Sequence, residues 1–172
     1  MSEDKKETIA VEITPIDKRV LKQIWTQMRR GETLEGSAIY IGRSMAEHPQ
    51  WFALFEALGV LEGDDELLDG TNPYVHLTLH VLVGSQIFHG TPKQATQFYQ
   101  SRLKRGDDSH LIAHMMIEVF QRHLIWTAKQ GLAASDFDHK AYGKTLKTLS
   151  PLTTKQIWER LGHDEIPTPH AS

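Results

Sequence analysis

A chain of 172 residues with 40% apolar content is long enough for one hydrophobic core and short for two, so a single domain is expected. Its formal charge of -3 gives no basic footprint for nucleic acid, and the absence of cysteine excludes disulfides, thiolate nucleophiles and cysteine-based zinc or iron-sulfur sites. No apolar run marks a signal peptide and no segment has the roughly 18 uninterrupted apolar residues of a membrane helix, so the expected protein is cytoplasmic and does not span a membrane.

Residues 1–13 are charged and aperiodic and read as a flexible arm. The bundle then runs over residues 14–162. Thr14 with Pro15 opens a first helix, whose stripe is Ile16, Val20, Leu21, Ile24, Trp25 and Met28 and whose stop is Arg29-Arg30-Gly31. Thr33 opens a second, in which Leu34, Ala38, Ile41 and Met45 make a stripe that continues onto His48; Pro49 places that histidine at the C-terminal end. Trp51, Phe52, Leu54, Phe55 and Leu58 predict a short lid helix closed by Gly59. The acidic run from Glu62 to Asp69 reads as a solvated loop, since it lacks the alternating spacing of an EF-hand calcium loop.

Asn72 caps the next helix with Pro73 at its first position, and Gly90 ends it. Most of its residues from Tyr74 to Phe88 are apolar, which predicts burial on most sides. Thr91-Pro92 opens a helix with the stripe Ala95, Phe98, Tyr99 and Leu103, stopped by Lys104-Arg105-Gly106. The two basic runs, Arg29-Arg30 and Lys104-Arg105, suit the negative ends of helix dipoles. Asp107, Asp108 and Ser109 offer caps for a long helix from about His110 to Gln130, surrounded by Leu111, Ile112, Met115, Met116, Val119, Phe120 and Trp126. A further helix is expected from Ser135, carrying Tyr142, Leu146 and Leu149, and Thr153 caps a last one with Ile157, Trp158 and Leu161 inward. Residues 163–172 read as a disordered tail. The class is all-α, an irregular bundle of about six or seven helices.

Two histidine pairs stand out on the two most apolar helices: His76 with His80, and His110 with His114. Residues four apart share a helix face about 6 Å apart along the axis, so both rings of a pair can reach one ion. Short connections make successive helices antiparallel, which brings the N-terminal turns of these two helices to one end of the bundle, with His48 arriving there as well. Helix N-termini disfavour imidazolium and favour the neutral, metal-binding form. Glu118, one turn beyond His114, is the candidate supporting ligand or acceptor for an imidazole. His89, His123, His139, His163 and His170 lack such partners and are assigned to surface or tail.

The metal-protease glutamate is missing from His110-Leu-Ile-Ala-His114, and the di-iron pattern of Glu-x-x-His on two helices is also absent. What remains is a mononuclear, histidine-rich site for one divalent ion, with Zn, Ni or Fe (and Cu by ligand type) as candidates. If the site is catalytic, an open coordination position would activate water or a thiol cosubstrate. Three other readings stand beside it: a non-enzymatic interaction or scaffold protein whose histidines form a buried polar network and whose segment Trp51 to Phe55 contacts a partner, a metal-free catalytic pocket, and a pH-responsive bundle. Whether the chain is an enzyme, which small molecule or protein partner it meets, and whether it forms a homo-oligomer are left open by the residues alone.

The segment Asn72-Pro73-Tyr-Val-His76-Leu-Thr-Leu-His80, followed by His110-x-x-x-His114-x-Met116-x-Glu118, resembles the bacterial domain-of-unknown-function family numbered 1841. The similarity extends from about residue 17 through Gly131 and includes Leu34-Glu35 and His48-Pro49. Two positions depart from the family pattern: Ala113 stands where a glutamate often precedes the second histidine, and Gln50 where an acidic residue often follows the His-Pro. The resemblance implies a small, soluble, helical bacterial protein of unassigned activity. A looser likeness of arrangement is to DinB-type bundles, in which three histidines from separate helices hold a metal.

Overall fold

The computed structural model describes residues 13–60 and 72–167. Among them run eight α-helices and no strand: α1 Lys18–Arg29, α2 Ala38–Ala46, α3 Phe52–Glu56, α4 Pro73–His89, α5 Lys93–Lys104, α6 Ser109–Lys129, α7 His139–Leu149 and α8 Thr154–Arg160. Two 3-10 turns, Pro49–Trp51 and Ala134–Asp136, precede α3 and α7. The all-α expectation holds; the count of six or seven rises to eight with the short aromatic α3 included. Residues 1–12, the acidic run Glu62 to Asp69 and the end of the expected tail from residue 168 lie outside the described residues.

Local capping chemistry sets the two helices that matter most. Asn72 accepts hydrogen bonds from the backbone N–H of Tyr74 and Val75, and Pro73 occupies the first helical position, where its missing N–H costs nothing. Gly90 closes α4 at φ 61°, a left-handed conformation that glycine adopts without strain. Asp108 caps α6 in the same way, accepting from His110 and Leu111. Each cap lies just before its histidine pair and fixes where the rings emerge.

Three helix starts differ from the sequence expectation. α1 begins after Asp17, whose carboxylate accepts from the N–H of Arg19, while Ile16 is held back by a 3.0 Å hydrogen bond from its N–H to Thr78 Oγ1. Thr14 therefore stands before the helix. α2 starts at Ala38 because Gly36 takes a φ of 58°, which ends any continuous helix from Thr33. α7 starts at His139 because the carboxylate of Asp138 caps it through Ala141, and Phe137 turns inward onto Phe120 between the 3-10 turn and the helix.

Packing divides the apolar residues into two clusters. Leu21, Ile24 and Trp25 of α1, Ile41 and Met45 of α2, and Trp51 and Phe55 form the first. Phe98 of α5, Ile112, Met115 and Met116 of α6, Tyr142 and Leu146 of α7, and Ile157 and Trp158 near the end form the second. Helix α4 belongs to both, through Tyr74 and Leu77 on one side and Leu79 and Val83 on the other, and it packs against α2, α5 and α6. Trp126, expected in the core, is half exposed on α6.

The C-terminal helices are tied on by a buried cation. Arg102 of α5 is 1% exposed where the apolar stripe predicts Leu103, which is instead exposed. Its guanidinium pairs with Asp107 and donates to the carbonyls of Ser150 and Leu152 and to Thr154 Oγ1, whose hydroxyl in turn donates to Asp107. Removing the cation leaves a buried carboxylate and two carbonyls without their donor. Arg102→Ala is expected to destabilise the fold by about 3–5 kcal/mol, measured as a shift in the urea midpoint, and a change below about 1 kcal/mol would show that the network is peripheral.

Candidate metal centre

Five imidazoles from three parts of the chain meet where α2, α4 and α6 come together. His48 follows the end of α2, His76 and His80 lie in α4, and His110 and His114 in α6. Ring centroids are 4.7 Å apart for His48 and His80, 4.7 Å for His48 and His110, 4.9 Å for His80 and His114, and 5.0 Å for His76 and His114. His48 is fully buried and His80 and His110 nearly so. Trp51 covers the group, its ring stacked on His48 at 4.7 Å and 5°.

The ring nitrogens are directed, not merely near. His48 Nδ1 lies 2.6 Å from the carbonyl oxygen of Ser44, so its N–H donates there and Nε2 is left as a lone pair. That Nε2 lies 3.1 Å from His76 Nε2, which lies 3.0 Å from His80 Nε2. His114 Nε2 is buried without a hydrogen-bond partner. The four residues His48, His76, His80 and His114 each offer a ligand atom within 4.8 Å of one another, and Glu47, His80 and His110 form a second such group sharing His80. A group of histidines and a glutamate that could hold a metal ion is therefore present.

Glu47 is the residue that sequence reasoning missed. Its Oε2 lies 3.3 Å from His110 Nδ1 and its Oε1 accepts from Arg43 Nε at 3.2 Å. Burial acts to raise the carboxyl, but the hydrogen bonds from His110 and Arg43 outweigh it and hold Glu47 below its usual range. Glu118, expected in that supporting role, instead pairs with His163, 3.3 Å from its Nε2. Of the remaining histidines, His123 meets Thr145 Oγ1 at 2.9 Å, His89 and His139 are exposed, and His170 is outside the described residues. Within the aromatic segment Trp51 and Phe55 are buried against α1 and the histidines, while Phe52 is 37% exposed.

Residues 16–148 match the family described as Domain of unknown function (DUF1841). The chain belongs to this family. All five clustered histidines and Glu47 fall inside the matched region of this DUF1841 chain. No curated protein and no solved structure matches it.

Burial, and next the charges of neighbouring rings, lowers the pKa of His76 and of His114 to about 3 and that of His80 well below its ordinary value. The three are thus neutral when folded, while in the unfolded chain they take up protons as pH falls through about 6.5. The unfolded state then binds more protons, so stability is full above pH 6.5 and falls below it. Each ring contributes up to about 1.4 kcal/mol per pH unit in that window. For metal-free protein, the urea midpoint is expected to fall between pH 7 and 5, and the slope to shrink in His80→Gln/His114→Gln; equal slopes would show that the rings carry no such penalty.

Proposed function

We propose that the protein binds one divalent transition-metal ion through His48, His76, His80 and His114, with His110 and Glu47 beside it. The supporting observation is the convergence of three Nε2 atoms at separations of 3.0 and 3.1 Å on His76. A neutral ring nitrogen has one in-plane direction, holding either a hydrogen or a lone pair. His76 Nε2 therefore cannot make a full hydrogen bond to both neighbours, and the unpartnered His114 Nε2 gains nothing from such a network. Lone pairs aimed at a common point suit a cation. Ligands about 2.05 Å from a metal stand about 2.9 Å apart at right angles and about 3.3 Å apart in a tetrahedron, which brackets the spacing seen here.

The donor set narrows the ion. Imidazole suits zinc, nickel or iron, and the lack of thiolate removes the preference for soft ions. Four imidazoles around zinc make a closed, structural centre; an ion accepting six ligands keeps positions for water or another small ligand. Glu47 then acts through His110: a carboxylate accepting from Nδ1–H leaves the other ring nitrogen as the lone pair and raises its basicity.

Protein purified without a polyhistidine tag or metal resin is expected to carry close to one transition-metal ion per chain by elemental analysis. His80→Ala and His114→Ala should each retain under about a tenth of it with helicity preserved, because the cost of burying four polar rings without an ion falls on the wild type. Metal in both variants at the wild-type level, or none in wild type together with a melting temperature indifferent to chelator, would overturn the assignment in favour of a polar network.

A further inference from the structure

A pocket of about 150 Å³ opens on the surface between α2, α4, α5 and α6, and it reaches the histidine cluster at His80 and Glu47. Its walls are mostly apolar, from Tyr40, Ile87 and Phe88. Two small residues, Gly84 and Ala113, leave the space open, and a Cβ on Gly84 would already come within 3.7 Å of the Tyr40 ring. Phe88 is 74% exposed with its ring edge-on to Tyr40 at 5.9 Å. The exposed phenyl ring extends the apolar surface at the mouth of the pocket. The cation in the lining is Arg43, exposed enough to be approached, with Nη2 3.4 Å from Tyr99 Oη.

Size, wall chemistry and charge together describe one class of ligand. A cavity of about 150 Å³ lined by apolar side chains accommodates a benzene-sized group. Arg43, whose Nε is engaged by Glu47 and whose Nη2 meets Tyr99, has further N–H donors to offer a carboxylate. The lining also holds the Glu47 carboxylate, which is paired with Arg43; beside neutral imidazole ligands a divalent ion at the inner end exceeds that single negative charge and adds to the attraction for an anion. We infer that this pocket binds a small monocarboxylic acid with a benzene-sized apolar body, seated between Tyr40, Gly84 and Phe88 and oriented by Arg43. The adjacency of that ligand to an ion rests on the metal-binding reading above; the pocket itself does not.

The test uses benzoate and its neutral analogue benzamide, read by saturation-transfer NMR on metal-free and on cobalt-loaded protein. Saturable transfer to benzoate is expected in both forms, together with paramagnetic broadening of its ring protons in the cobalt form. Gly84→Leu fills the space and should weaken benzoate by about tenfold or more while the cobalt spectrum is kept. Arg43→Gln, on an exposed side chain whose loss leaves the core intact, should weaken benzoate about tenfold and leave benzamide unchanged. Absence of transfer in wild type, or benzoate binding undiminished in both variants, would overturn the pocket. Benzoate binding without any uptake of cobalt would instead overturn the metal reading and leave the pocket standing. Benzoate that binds without broadening beside bound cobalt would show that the pocket does not lead to the ion.

Discussion

The described helices are arranged around buried imidazoles, of which His76, His80 and His114 are held neutral by that burial. A neutral ring taken out of water loses two hydrogen bonds, and that cost recurs for each histidine in the group. Apolar packing repays it around the edges, with Trp51 stacked over His48 and the two hydrophobic clusters on either side. Inside the group, the polar atoms find each other more than they find backbone. Among the described residues, His48 is given a carbonyl acceptor on its far nitrogen, and His110 a carboxylate. In these two rings the outer N–H finds an acceptor and the other nitrogen is left as a lone pair, the polarity a cation requires of its ligands.

Local structure delivers this set with little freedom. The caps at Asn72 and Asp108 start α4 and α6 a few residues before their histidines, so both pairs fall in the early turns, where the helix dipole disfavours imidazolium. His48 is placed differently, by the Pro49 that ends α2 and by the hydrogen bond back to Ser44. Helix α4 then shares its apolar residues between the two clusters, which presses α2 and α6 against it from different sides. Rings contributed by three segments meet because the helix between them has no polar face to turn to solvent. The pocket beside them follows from the same packing: where α4 carries Gly84 and α6 carries Ala113, the helices meet without filling the space.

Much of this was legible in the residues. The Asn-Pro start and glycine stop of α4, the Thr153 cap of α8 and the all-helical class follow from short-range chemistry, and so does the sharing of a face by paired histidines. Errors arose where two signals compete. Asp17 displaces Thr14, Gly36 interrupts the run from Thr33, and Asp138 overrides Ser135, each through backbone geometry settled by the next element. Tertiary partners were out of reach. Glu47 beside Arg43 four positions earlier reads as an ordinary surface pair, and only the approach of α6 makes it the acceptor for His110. Glu118 has the right helical spacing, yet its carboxylate finds His163 from beyond α8. Arg102 occupies a core position in the helical period because its partners come from the segment between α7 and α8.

The most direct measurement of the central claim is X-ray absorption at the edge of the metal carried by tag-free protein. A first shell of about four nitrogens near 2.0–2.1 Å, with the outer-shell scattering of imidazole rings, is the expected result. A shell of oxygen donors alone, or one with fewer than three imidazoles, would contradict the account and return the five histidines to a polar core with no ion to serve.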